Sequence, residues 1–264
     1  MANFKATLVL VFLTMYSSYV VLAHNILAEI GVCYGLNGNN LPCPTQVVDL
    51  YRNQGFTKMR IYEPYPEVLD ALRGSGIRLV LGVRNQDIPQ LASGQEAAES
   101  CVGNEVVPGE FSESVLPAMQ NLQNVLTNNN LDLADITTDY ALLVSHQPLV
   151  HDGNLGYTNL LDAILDAFFW AMEKESVSDV DIVISESGWP HGGNGNITTA
   201  PFASIYNSNF IKRMNAGGTP KKPNALVQGY IFSIIDENMK DPGVEQNWGL
   251  FNPSMQPNYD YNLN

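Results

Sequence analysis

Asp181-Ile182-Val183-Ile184-Ser185-Glu186-Ser187-Gly188-Trp189-Pro190 is an apolar run that ends in turn residues and carries one carboxylate at its end. Ile182, Val183 and Ile184 do not alternate with polar residues, as expected of a strand buried on both faces of a parallel sheet. Such a strand delivers Glu186 at its C-terminal end. A second run of the same kind, Val102-Gly103-Asn104-Glu105-Val106, delivers Glu105. In parallel barrels the reacting groups project from the C-terminal strand ends, where a carboxyl pair can act as acid and nucleophile in glycosidic cleavage.

Outward from these two runs, strand and helix signals alternate along the whole chain, which predicts α/β architecture with a parallel sheet. Strands are expected at 29–34, 58–62, 78–83, 101–106, weakly at 134–138, and at 181–185 and 226–233. Helices are expected at 44–54, 66–74, 88–99, 115–127, 157–175 and 201–214. The clearest helix repeats Leu160, Leu161, Ile164, Leu165, Phe168, Phe169 and Met172 at helical spacing, a stripe that faces a sheet. The interval 139–156 is too short to hold both a helix and another strand. The expected fold is therefore a (β/α)8 TIM-barrel type that is incomplete by about one β/α unit, with the short run 141–144 as the one candidate replacement strand.

Residues 1–28 contain one Lys, no acid and a broken apolar stretch, the pattern of a secretory signal peptide. Small residues at Ala23 and Ala28 offer two cleavage points, the second directly before the first expected strand. A single barrel domain, 29–264, follows, secreted to the extracellular or cell-wall space. Of 13 Lys and Arg residues one lies in this leader, whereas all 27 acidic residues lie after it. That balance disfavours nucleic acid and anionic membrane as partners and suits a neutral polymer. Cys33, Cys43 and Cys101 form no metal-ligand pattern, and neither do His24, His146, His151 and His191, so neither metal nor cofactor is expected. Cys33 reads as a buried strand residue, with a Cys33–Cys43 bridge left open. Asn196-Ile197-Thr198 is the single glycosylation sequon, in a Gly-rich surface loop.

Together, Ile30-Gly31-Val32-Cys33-Tyr34-Gly35, the two glutamate motifs, Asp236-Glu237-Asn238 and Gly249-Leu250-Phe251 closely resemble plant glucan endo-1,3-β-glucosidases of glycoside hydrolase family 17. The resemblance implies a (β/α)8 barrel, a long open cleft, and retaining hydrolysis of internal β-1,3-glucosidic bonds in callose-like or fungal wall glucan by a monomeric defence or cell-wall enzyme. Carried over by motif, it gives Glu105 as acid/base, with Asn104 before it, and Glu186 as nucleophile. It also gives Glu237, Lys240 and Glu245 as supporting charges, and Tyr34 as a cleft residue. Lys240 is expected to hold Glu186 ionised, and Trp189 reads either as a sugar platform or as a packing ring.

The chain departs from the family pattern by being short, with pieces missing between Glu99 and Cys101 and between Thr138 and Tyr140. The second gap removes an aromatic stretch that stacks against sugar in the family. Two other readings therefore stand beside the active glucanase: a glucan-binding pseudoenzyme, and an inactive truncated product that no longer aligns the two glutamates.

Overall fold

The computed structural model describes residues 30–82, 89, 134–137, 148, 150–174 and 181–263. The elements run β1 (Ile30–Cys33), α1 (Pro44–Gln54), β2 (Lys58–Ile61), α2 (Pro66–Leu72), β3 (Arg78–Leu81), β4 (Ala134–Thr137), β5 (Val150–Asp152), β6 (Leu155–Tyr157), α3 (Leu160–Lys174), β7 (Ile182–Ser187), α4 (Ala200–Asn215) and β8 (Gln228–Ile231), followed by a 3₁₀ turn at Val244–Gln246. The expected strands at 101–106 and 141–144 and the helices at 88–99 and 115–127 fall outside the described residues, apart from Pro89.

Six strands form one sheet in the order β3-β2-β1-β8-β7-β4, every neighbouring pair parallel. It curls strongly, as an ion pair shows: Arg60 on β2 reaches Glu186 on β7, although β1 and β8 lie between them. In a flat sheet three strand spacings of about 4.8 Å would keep them roughly 14 Å apart. Lys58 Nζ likewise crosses β1 to donate to Gln228 Oε1 at 2.9 Å. Among the described residues the sheet is a curled half-barrel, consistent with the incomplete barrel expected from the short interval after 138. The strand from the weak run 134–138 pairs directly with β7, Ala134 opposite Ile182 and Ile136 opposite Ile184.

Alternation along the strands divides the interior from the helix layer. Lys58, Arg60, Cys33, Val183 and Tyr230 sit on one face, while Met59, Ile61, Val32, Ile182 and Ile184 pack outward on Val47, Tyr51, Leu165, Phe210 and Ile211. Burying this outer set removes each side chain's apolar surface from water, worth about 1.5–3 kcal/mol apiece. Tyr51 also donates to Val32 O at 3.0 Å, tying α1 to β1.

One boundary differs from expectation. Tyr157, expected to open a helix, instead ends the second strand of an antiparallel hairpin, and α3 begins at Leu160. Asn159 sets that start, its Oδ1 accepting from Asp162 N–H at 2.9 Å. Asp162 is in turn held by the Arg213 guanidinium, with both side chains about nine-tenths buried, which docks α3 against α4.

Candidate active site

Because the strands are parallel, the segments after β1, β2, β7 and β8 emerge at the same end of the sheet. Glu186 is the penultimate residue of β7, at the C-terminal end expected from the sequence, but is buried there, only 8% exposed. The register shift between Ile184 and Ser187 against β8 marks a local irregularity at this position. Its carboxylate accepts from Arg60 Nη1, with Arg60 1% exposed, and the Arg60 guanidinium lies 4.6 Å from the centroid of the Tyr62 ring. Arginine suits this place because its planar guanidinium can pair with a carboxylate and stack on an aromatic face together.

This arrangement corrects the expected role of Lys240. Its ammonium lies 3.5 Å from Glu237 Oε2, 3.9 Å from Glu245 Oε2 and 4.2 Å from the Phe232 ring centroid. The cation beside Glu186 is Arg60, which the motif reading missed. The signal was present in Lys58-Met59-Arg60-Ile61: alternation on a barrel strand puts two cations on the interior face, where a buried charge requires a partner.

Glu237 is buried, 4% exposed, and not a surface acid. Its Oε1 accepts from Asn37 N–H at 2.8 Å, in the loop after β1. Gly35 makes this approach feasible, since a Cβ there would stand 2.3 Å from both carboxylate oxygens. The two loops are stitched further by Met239 N–H to Asn37 O at 3.1 Å and by the Asn39–Asn238 pair. Tyr34 is fully buried at the start of the first loop, and its hydroxyl has no hydrogen-bond partner among the described residues. Burial, with the nearby Cys43 and Glu237 adding to it, pushes its pKa up to about 12.

Beneath the ion pair, Cys33 donates from Sγ to Ser185 O at 3.3 Å. Burial raises its pKa to about 12, against the opposing pull of Arg60. Cys33 and Cys43 are both free thiols, so the open bridge is not formed, and Cys101 lies outside the described residues. Tyr62 is also raised well above its ordinary range, by burial first and then by the charges around Cys33 and Glu186.

Trp189 is half-buried, donates from its indole to Ile197 O at 3.0 Å and leans on Tyr206, whose hydroxyl meets Ser187 Oγ at 2.7 Å. The ring braces the loop after β7. Gly188 lets that loop pass close to β8, since a Cβ there would lie 2.3 Å from Phe232 O. Glu245 is half-exposed on the 3₁₀ turn. Asn196 is exposed, and Thr198 of its sequon is buried, accepting from Asn194 N–H at 2.7 Å. Among the described residues no group of acids, histidines and cysteines could hold a metal, and no helix is long and apolar enough to cross a membrane. Asn104 and Glu105 lie outside the described residues.

Glycosyl hydrolases family 17 matches the chain twice, over residues 30–141 and 132–263. "Probable glucan endo-1,3-beta-glucosidase BG4" of Arabidopsis thaliana is 38% identical, with 88% of this chain and 90% of the relative aligned. That alignment runs over 310 positions, more than the 264 residues of the chain, so the relative carries residues this chain lacks. Lichenase-2 of Hordeum vulgare is 34% identical over 89% of this chain and 98% of its own. Among solved structures, one from a study of two plant β-glucan endohydrolases with distinct substrate specificities superposes with a TM-score of 0.76 at 33% identity, covering 88% of this chain and 99% of the other. CJP38, a β-1,3-glucanase and pollen allergen of Cryptomeria japonica, superposes with a TM-score of 0.75 at 32% identity, covering 88% of this chain and 98% of its own. A parallel sheet curled around a buried glutamate–arginine pair, with sequence likeness spread over both halves of the chain, places this protein among the glycoside hydrolases of family 17.

Proposed function

We propose that the protein is an endo-acting β-1,3-glucanase that cleaves with retention, Glu186 as nucleophile and Glu105 as acid/base. The observation that carries the reading is the burial of Glu186 on Arg60 at the catalytic end of β7. An anionic carboxylate held in one orientation by a cation is what attack on an anomeric carbon requires. In the first step Glu186 forms a bond to that carbon while Glu105 gives its proton to the departing glycosidic oxygen. In the second, Glu105 takes a proton from water as the water displaces Glu186, restoring both carboxyls. This needs the two groups about 5 Å apart. Glu237 and Lys240, with Glu245 at the rim, keep the loop after β8 in register with the loop after β1.

Plant glucan endo-1,3-β-glucosidases among the relatives support the β-1,3 linkage, and the lichenase among them makes mixed-linkage glucan the comparison substrate. The signal-like leader and the Asn196 sequon support secretion as a glycoprotein, and the family resemblance adds a monomer acting on callose-like or fungal wall glucan in defence. The test is reducing-sugar release from laminarin, beside barley mixed-linkage glucan, by wild type, Glu186→Gln and Glu105→Gln, with the product anomer followed by NMR. The reading expects β-anomer release from laminarin that falls at least a thousandfold in Glu186→Gln. A folded wild type that binds laminarin without releasing sugar would make it a glucan-binding pseudoenzyme. Failure to obtain a folded chain would make it an inactive truncated product.

A further inference from the structure

Asp236, immediately before Glu237, is a hub that the proposed chemistry leaves without a role. Its Oδ1 accepts from Gly249 N–H at 2.8 Å and its Oδ2 from Asn258 Nδ2 at 2.8 Å, and its own N–H donates to Phe251 O at 3.1 Å. The remaining face of the carboxylate meets His191, whose Nε2 lies 3.0 Å from Oδ1 and 3.1 Å from Oδ2. An anionic carboxylate that already accepts from two donors calls for a third, so Nε2 carries the hydrogen. Both side chains are more than four-fifths buried. The ring is set by its own backbone, His191 N–H donating to Asn247 O at 2.8 Å, and by Tyr259, whose ring centroid is 6.1 Å away.

The position of this pair gives it a use. His191 lies in the loop that follows Glu186, two residues beyond Trp189, whereas Asp236 and Glu237 are consecutive in the segment after β8. Glu186 is fixed within β7 by Arg60, but Glu237 lies beyond the end of β8 and depends on the loops around it. We propose that His191 is a positioning residue for glycosidic cleavage: by donating to Asp236 it locks the loop after Glu186 to the turn that carries Glu237, and so sets the spacing of those two carboxylates. This rests on the proposed glucanase activity for its catalytic consequence, though not for the lock itself.

The experiment compares wild type, His191→Ala and His191→Gln by hydrogen–deuterium exchange and by laminarin kinetics. Gln can still donate to Asp236 through its amide, so it is the rescuing variant. Losing a hydrogen bond to a charged group should open the lock roughly tenfold or more. In His191→Ala the amides of Asp236 and Met239 should exchange about tenfold faster, while those of Val47 and Val48 in α1 keep their rates. The kcat should fall about tenfold with KM within twofold, and Gln should recover much of both. Unchanged exchange at Asp236 and Met239 in the alanine variant overturns the proposal, as does faster exchange with kcat unaltered. A wild type that is folded but releases no sugar defeats the glucanase reading, and the exchange rates then decide by themselves whether His191 locks the two loops.

Discussion

Replacing Arg60 with Met should cost the fold more than any exposed ion pair can, and the loss should be repaired in part by a second change at Glu186. The Arg60 and Glu186 side chains are 2% and 10% exposed, so water screens their interaction little. Two unit charges in contact at an effective dielectric near 20 interact by roughly 4–5 kcal/mol. Removing one partner of a buried pair costs about 3–5 kcal/mol, mainly because the other charge is left stranded. Against a total stability of about 5–15 kcal/mol, this is a large share. In Arg60→Met/Glu186→Gln no charge is stranded, so the double variant should lose at least about 2 kcal/mol less than the sum of its parts. Urea unfolding followed by circular dichroism reads all four corners of the cycle. The exposed pair Arg73–Asp70, with side chains 81% and 70% exposed, is the control and should couple by less than about 1 kcal/mol. Additivity within about 0.5 kcal/mol at Arg60 and Glu186 would refute the reasoning.

Two further outcomes follow from close packing and burial. Gly35→Ala would set a Cβ 2.3 Å from both Glu237 oxygens, displacing that carboxylate from Asn37; kcat on laminarin should fall on the order of a hundredfold with the circular dichroism spectrum retained. Cys33 gives a pH prediction with a definite sign. Its pKa rises from 9.0 to about 12 on folding, so well below pH 9 the thiol is neutral in both states and adds no pH dependence. From about pH 8 upward the unfolded chain releases a proton that the fold retains, and stability falls by about 1 kcal/mol between pH 9 and pH 10. The slope ends only near 12, and Tyr34, raised from 10.0 to about 12, joins it above pH 10. In Cys33→Ala the fall between pH 9 and 10, read from urea midpoints, should flatten, and an unchanged slope would count against the burial argument.

Much of the scaffold was readable because its periodicities are unmixed. The run from Leu160 to Met172 is α3, although of its expected stripe only Leu161, Leu165 and Phe169 are buried while Leu160 and Phe168 are exposed, and Ile182-Val183-Ile184 is a strand buried on both faces, as its lack of alternation required. The incomplete barrel was visible as a spacing too short for its contents, because chain length bounds what can be built. The hairpin at 150–157 was missed because three-residue strands carry too little pattern, although Gly153, at φ 56°, and Asn154 form a recognisable turn. At the site, Glu186 and the Glu237–Lys240–Glu245 group follow from motif, but the pairing of charges does not. Which cation meets which carboxylate depends on curl across two intervening strands, a relation that no local stretch of sequence encodes.

The joint between β1 and β8, Ile30 against Gly229 and Val32 against Ile231, brings together two strands nearly two hundred residues apart in sequence. A ribosome delivers the first of these strands early and the second only after most of the polypeptide has left the exit tunnel. Until then β1 offers one unpaired side, a template for neighbouring chains on the same message. Few contacts of such long range can form early, so maturation should lag behind synthesis and draw on chaperones that shield exposed strands. The yield of native protein should therefore depend on how long a nascent chain is protected before β8 reaches β1.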